Sequence, residues 1–373
     1  MAFEQLKIQD LVSRMNTLRE QGEQVTLRQY LAKHHADINR AEPDRAFETY
    51  LRGHGVDYDN WIVSQFFTVS TDTKLPYLFS ELLVQALIKG MDDFNYVENL
   101  FAVKTTAPNA AAVIQPYIDY TGMKKMVKSD KAVSPGSEFD KDSLAVGDKR
   151  AYFKKFGKAL DITYESIKLC KIKLLSAFLK GTAMVILADY FDYIVDVLIN
   201  GDKAQDKDGN TITDTAAVIG VENTSNGVTF RDILRAAIRM SRKGRPTTDM
   251  LGDEAEMLDI LNLDEYKKRE QGAPQESLRL NGNITTPNNA YVADDVGTGK
   301  LLLLSKAFCL VRIMQQGLMV ETQKIITKQI ETAVVSVILS IMTLFRDSRI
   351  IIDGSQEFSS QGFPAWMAIN KPK

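Results

Sequence analysis

Histidine and cysteine are nearly missing from this sequence, and their scarcity removes most of the familiar catalytic chemistry. Only His34, His35 and His54, and only Cys170 and Cys309, occur in 373 residues. Two cysteines so far apart form neither a disulfide framework nor a four-thiolate zinc site, and they read as two buried thiols kept reduced. Adjacent histidines on a helix point in different directions, so His34 and His35 make a poor chelating pair and read as solvated or interfacial. With every histidine near the N-terminus, a Ser-His-Asp or Cys-His mechanism has nowhere else to be built. Charge of one sign is lacking too. A formal net charge of −2 excludes a general polycation that holds nucleic acid by releasing counterions. Long apolar runs are absent as well. The richest stretch, 333–345, is interrupted by Ser336, Ser340 and Thr343 and is too short for a bilayer. The first residues, Met1 to Leu6, have no basic start and no apolar run of a signal peptide, so the expectation is a soluble protein made in a cytoplasm.

What is present is an ordinary folding composition, 45% apolar and 25% charged. The length predicts two lobes, or one lobe with long projections. Residues 1–60 are polar and helix-patterned, with Phe3, Leu6, Leu11, Met15 and Leu18 on one stripe, and read as an arm that packs on something else. Leu75 to Phe79 lead into a helix through Leu82, Leu83, Ala86 and Leu87 that ends at Gly90. Residues Ala112 to Val127 and Ala145 to Ile162 are rich in β-branched and aromatic side chains, and the polar stretch 129–137 with Pro135-Gly136 lies between them. That pattern predicts a long β-hairpin, whose arms of ~15 residues would reach roughly 50 Å. A hairpin of that length cannot bury itself.

Thr163 reads as the cap of a helix over 164–200, about 55 Å long and stopped at Asn200-Gly201. Beyond it the pattern is mixed. A short strand is expected at Ala216 to Val221, a helix from Thr229 to Ser241, another from Glu254 to Leu261, and extended loops from Gly272 to Gly299. Gly317 to Thr327 and Ile350 to Asp353 read as strands; Thr332 to Phe345 fits strand better than helix by its β-branched content. No internal repeat or low-complexity segment is found.

Four motifs suggest chemistry and fail on inspection. Asp206 to Asn210 looks like part of a calcium loop, but Ala204 and Thr215 stand where its first and last ligands belong. Gly297-Thr298-Gly299-Lys300 imitates a phosphate loop, yet Asp294 replaces its first glycine and Leu301 its magnesium-holding hydroxyl. Asp253, Glu254, Glu256 and Asp259 cluster at a helix start, where acids serve the helix dipole. Lys124, Lys125, Lys128 and Lys131 form one basic face, and Arg235, Arg239, Arg242, Lys243 and Arg245 another. These read as solvated, or as partners for acids on a neighbouring copy, because no aromatics alternate with them as a nucleic-acid groove requires. No catalytic, cofactor-binding or metal-binding residue is assigned, and no enzyme activity is expected.

The order of parts resembles the major capsid proteins of tailed bacteriophages, the Hong Kong 97 fold family. The likeness rests on Leu78 to Leu83 as the helix after an N-terminal arm, the hairpin 104–162 as an E-loop, and Lys158 to Ser166 as the passage into a spine helix. It rests further on Thr247 to Leu263 as part of an A-domain, and on Leu301 to Phe308 with Gly317 to Glu321 as the return into a P-domain sheet. The resemblance implies an α+β chain with an arm at 1–60, a segment leading into the P-domain at 61–103, the E-loop at 104–162 and the spine helix at 163–200. The A-domain would follow at 201–300, and 301–373 would return through both domains to a tail. It also implies hexamers and pentamers on an icosahedral phage head that encloses double-stranded DNA without reading its sequence. Scaffolding, portal and decoration proteins would be partners, the virion capsid the location, and the host cytoplasm the place of assembly. The alternative is the shell of an encapsulin-like nanocompartment, which shares the fold and encloses a cargo enzyme.

Overall fold

The structure, a computed structural model, describes residues 96–107, 112–119, 145–163, 170–205, 208–212, 214–264, 279–280, 283–284, 289–325 and 330–358, with isolated positions elsewhere. Most of the arm read at 1–60, the hairpin tip at 129–137, the basic face at Lys124 to Lys131 and all three histidines lie outside the described residues. In chain order, β1 (Phe101–Thr106), β2 (Ala112–Asp119), β3 (Ala145–Tyr152) and β4 (Lys154–Thr163) precede a long helix, α1 (Ile172–Asn200). Next come β5 (Ala217–Val221), α2 (Phe230–Arg242), β6 (Asp249–Gly252) and α3 (Glu254–Leu261). The remainder is β7 (Arg279–Leu280), β8 (Asn283–Ile284), β9 (Asn289–Val292), β10 (Lys300–Leu304), α4 (Lys306–Cys309), β11 (Leu310–Ile325), β12 (Ile330–Thr343) and β13 (Arg349–Glu357). The chain is mixed α+β, and it divides into two compact units, each made of three stretches.

The first unit comprises Met1–Val97, Lys154–Tyr190 and Met314–Leu339. Here β12 lies between β11 and β4, and its ladder with β4 is antiparallel from Leu339↔Lys154 to Ile330↔Thr163. That ladder corrects two expectations. Thr163 ends β4 opposite Ile330, and the helix does not run unbroken from it over 164–200, because Cys170 and Lys171 are not helical. The helix starts at Ile172, so its 29 residues span ~44 Å and not ~55 Å. The second correction concerns the hairpin arm, which breaks at Phe153 because β4 has this long partner of its own in β12.

Gly90 is still helical, and the residues just after it, where the stop was expected, lie outside the described residues. It is a packing point. A Cβ there would stand 2.9 Å from the Cβ of Ala183 and the Cα of Lys180, a distance only glycine tolerates between helices. Ile172, Leu175, Leu179, Ala183 and Ile186 recur at helical spacing and form the buried stripe of this part of α1.

The second unit comprises Glu98–Phe153, Phe191–Ile313 and Ser340–Lys373. Its frame is a five-stranded sheet in the order β5-β13-β10-β6-β9. The centre is β10, antiparallel to both neighbours, with Leu302 opposite Ile351 on one side and Leu251 on the other. Both faces of that strand are covered, which is why Leu301, Leu302, Leu303 and Leu304 run without alternation and are all buried. Along one face lie Ile219, Met250, Leu301, Leu303 and Ile350, packed with Ile233 and Met240 of α2 and Met257 and Ile260 of α3. The stretch 272–299, expected as loops, contributes β9, a parallel edge strand beside β6. Its short Asn289–Val292 run escapes a periodicity test because four residues give too few alternations.

Helices α2 and α3 start with side-chain caps. The Asp232 carboxylate of α2 accepts from the Thr229 amide at 3.2 Å and its hydroxyl at 2.5 Å. Asp253 accepts from the Glu256 amide at 2.7 Å and begins α3.

After α1, Gly201 adopts φ +82° and ends the helix. A Cβ at Gly201 would also meet the Asp214 carbonyl oxygen at 2.6 Å. Gly201→Ala is therefore expected to lower stability by at least about 1–2 kcal/mol from the left-handed backbone alone, as measured by chemical denaturation.

Candidate functional site

Strands β2 and β3 form a two-stranded antiparallel ribbon from Ala112↔Tyr152 to Asp119↔Ala145. The eight described pairs, at ~3.3 Å per residue, span roughly 26 Å, and 120–144, between the two strands, lie outside the described residues. The root of this ribbon is where the second unit concentrates its buried charge. Alternation along β3 sends Lys149 inward, 2% exposed, while Arg150 faces outward. Arg150 extends the pairing through its backbone: its amide donates to Gln205 O at 2.8 Å, and the Gln205 amide returns a bond at 2.9 Å. The Tyr152 hydroxyl adds a bond to Gln205 Oε1 at 3.2 Å.

Lys149 Nζ lies 2.5 Å from Asp202 Oδ2 and 3.6 Å from Asp214 Oδ2. It also donates to the Thr343 hydroxyl at 2.9 Å and the Thr343 carbonyl at 3.1 Å. Thr343, the last residue of β12, hydrogen-bonds Asp214 through its hydroxyl and donates its amide to Asp202 Oδ2 at 3.0 Å. Arg349, at the start of β13, is fully buried. Its Nε donates to Leu198 O at 2.6 Å, satisfying a carbonyl in the last turn of α1, where the helix dipole favours a cation. Its Nη2 hydrogen-bonds the Asp214 carbonyl and stands 3.6 Å from the Asp214 carboxylate. Two cations thus face two carboxylates, a neutral and nearly dry cluster that joins β3, the end of α1, the loop before β5, the end of β12 and the start of β13.

The cluster sets the chemistry of its neighbours. Burial, with Asp202 and Asp196 next in effect, pushes the Tyr193 phenol up to about 12, so it stays neutral. Burial also raises the Cys309 thiol above the usual range, although Arg349 and Ser348 pull it the other way. A thiol so raised is a poor nucleophile. Cys170 is half-buried, which corrects the expectation that both thiols are buried. It sits two residues before α1. None of these groups offers the open cleft that substrate or metal needs. No cluster of metal-ligating side chains occurs among the described residues, and no helix among them is long and apolar enough to cross a membrane.

The sequence motifs are placed as follows. Gly297 and Gly299 have φ of +91° and +71° and lead into strand β10, so no helix N-terminus follows to hold a phosphate. Gly209, in the false calcium loop, has φ +84° and shapes a turn. The acids at 253–259 include the cap of α3, with Glu254 and Asp259 exposed. The basic face breaks up. Arg245 leaves it to pair with Asp347 at 2.6 Å and to stack over Phe345 at 3.8 Å. Arg235 and Arg239 remain on α2 and lie over the rings of Phe358 and Phe363 at 4.4 and 4.2 Å. Those rings come from the far end of the chain, which is why no alternation with arginine was visible in the sequence.

No protein-family model and no curated protein sequence matches the chain. Among solved structures it is similar to a virus-like particle from Pyrococcus furiosus, with TM-score 0.48 and 10% identity over 73% of this chain and 98% of that one. It is similar to the capsid of the cyanophage P-SCSP1u, with TM-score 0.42 and 12% identity over 69% of this chain and 86% of the other. The holo-SrpI encapsulin complex of Synechococcus elongatus gives TM-score 0.41 and 15% identity over 69% and 87%. The likeness is to phage capsids and encapsulins.

Two outcomes are expected at this site. Lys149→Met leaves two buried carboxylates facing one cation and should cost roughly 3–5 kcal/mol in denaturant unfolding, whereas adding Asp202→Leu to it should recover most of that loss. With a thiol-specific reagent at neutral pH, Cys170 should label quickly and Cys309 only after denaturation.

Proposed function

We propose that this chain is the major capsid protein of a tailed bacteriophage, with the Hong Kong 97 fold. In this reading hexamers and pentamers of the subunit build an icosahedral head around double-stranded DNA. The E-loop, read from the sequence at 104–162, is carried by the β2–β3 ribbon, the spine helix runs within 163–200, and the A-domain occupies 201–300 with returns from 301–373. The arm at 1–60 and the segment 61–103 complete the subunit. Scaffolding, portal and decoration proteins are its partners, assembly takes place in the host cytoplasm, and the subunit catalyses nothing.

One observation carries the reading: a two-stranded ribbon, with no third strand among the described residues, is rooted in the body by a buried charge cluster. A two-stranded hairpin is marginal in water unless something packs on it. A rigid root combined with an unpartnered span is the build of a part meant to lie on a neighbour. A second feature agrees. Leu174 and Phe178, one turn apart on α1, are 66% and 61% exposed. Outward apolar residues on a long helix supply contact area in a lattice. A closed shell needs many such modest contacts, so that misplaced subunits can leave and correct ones sum to a stable particle.

Expression of the chain with its neighbouring genes, followed by negative-stain electron microscopy of the sedimenting fraction, should show closed shells or sheets of hexamers containing DNA rather than a protein cargo. A monomer or small oligomer under every condition contradicts the proposal. Deleting 129–138 should leave a folded subunit that no longer forms shells, and normal shells from that variant contradict the E-loop assignment.

A further inference from the structure

Within the second unit, α2 and α3 lie over opposite edges of one sheet. Helix α2 packs on β13, beside the edge strand β5, while α3 packs on β6 and the other edge strand, β9. Their outward faces differ in charge and share a design. On α2, Arg231 and Arg242 are exposed at the two ends of the helix, ~16 Å apart along its axis. Between them lie Leu234 and Ile238, the latter 40% exposed, on the rim of a groove of about 440 Å³. On α3, Glu254 and Asp259 are exposed and flank Leu258 and Leu261, which are 62% and 52% exposed. Each face is thus an apolar centre within a charged rim, basic on one edge and acidic on the other.

Capping explains some of the acids on α3, since they complement its dipole, but it explains neither outward leucine. The arginines of α2 are likewise only partly used inside the subunit. Arg231 and Arg235 share Glu222 at 3.1 and 3.2 Å, whereas Arg239 Nε is buried without a hydrogen-bond partner among the described residues. Nucleic acid is the weaker occupant, because an apolar centre between the outer arginines suits a protein surface better than a phosphate backbone.

We propose that the basic face of α2 in one copy of this chain docks on the acidic face of α3 in the next copy. The contact is head-to-tail, because it joins two different faces, and repeating it gives a ring where the rotation between copies closes on itself. Apolar centres meet as Leu234 and Ile238 against Leu258 and Leu261, while the arginines meet Glu254 and Asp259 at the rim. Opposite charges steer the encounter and fix the register. The proposal rests on the shell reading, and its test separates the two.

Three variants are made in the full chain: Arg231→Glu with Arg242→Glu, Glu254→Arg with Asp259→Arg, and all four together. Circular dichroism checks folding, and the shell fraction on a density gradient is the readout. Each double reversal should lower that fraction more than about tenfold, because like charges then face each other across the contact. The fourfold variant should recover it to within about threefold of the unmodified chain, since the exchange restores opposite charges. The neutral pair Arg231→Gln with Arg242→Gln should give a smaller drop, and it serves if a reversal impairs folding. Shells from either double reversal at the unmodified level overturn the contact, and so does a fourfold variant that stays as defective as the doubles. If the unmodified chain itself builds no shells, the shell reading falls and the contact with it.

Discussion

Burying Lys149 and Arg349 with Asp202 and Asp214 is the constraint that the second unit has to satisfy everywhere else. Charges taken out of water are tolerated only when each finds its partner with good geometry, and here the partners come from distant parts of the chain. Arg349 can reach Leu198 only if β13 starts where α1 stops, and Lys149 can reach Asp202 only if β3 turns its odd face inward. Gly201 bends the chain so that Asp202 and Asp214 arrive together. Thr343 then closes the cluster from the end of β12, giving its hydroxyl to one carboxylate and its amide to the other. An apolar core would have held these segments too, but with less say over register. A cluster with fixed donors and acceptors accepts one alignment of the ribbon and rejects a slip by one residue, which would turn Lys149 to solvent.

That constraint was not legible in the sequence. Lys149, Asp202, Asp214, Thr343 and Arg349 share no spacing, and a lysine in a β-rich run reads as a surface residue until its strand partner is known. What could be read were local signals with a local cause. Thr229 with Asp232, Asp253 before an amphipathic octet, and Asn200-Gly201 each mark a helix boundary through groups that meet within a few residues, and the structure has boundaries there. The β-branched run at 330–343 forms a strand for the same reason. The misreadings were of a different kind. Thr163 has the form of a cap, but β12 supplies a longer ladder, and tertiary pairing overrides the local preference. Gly90 was read only as a stop, and its small size also serves the approach of another helix, which the sequence does not show. Phe358 and Phe363 stack on arginines more than a hundred positions away in sequence, where no pattern search looks.

On the proposed shell reading, the chain separates two requirements that a shell would impose. Its interior is specified by buried charge and by β10, whose four leucines fix the centre of the sheet. Its outward features are each modest: a two-stranded ribbon, a few exposed apolar residues on α1, and two charged helix faces at opposite sheet edges. Such a division keeps the free subunit without a large apolar patch while leaving several weak contacts to sum on assembly. In the proposed shell, the ribbon is the part on which both requirements meet, because its root belongs to the interior and its span would lie on a neighbour.

Hydrogen exchange on the unassembled subunit tests that claim most directly. The account predicts that the amides of Arg150, Gln205 and Thr343 exchange as slowly as those of β10, opening only with the unit as a whole, while the β2–β3 span beyond Lys149 exchanges faster. If Arg150 and Gln205 exchange as fast as the far end of the ribbon, the buried cluster does not hold the hairpin root and the account is wrong.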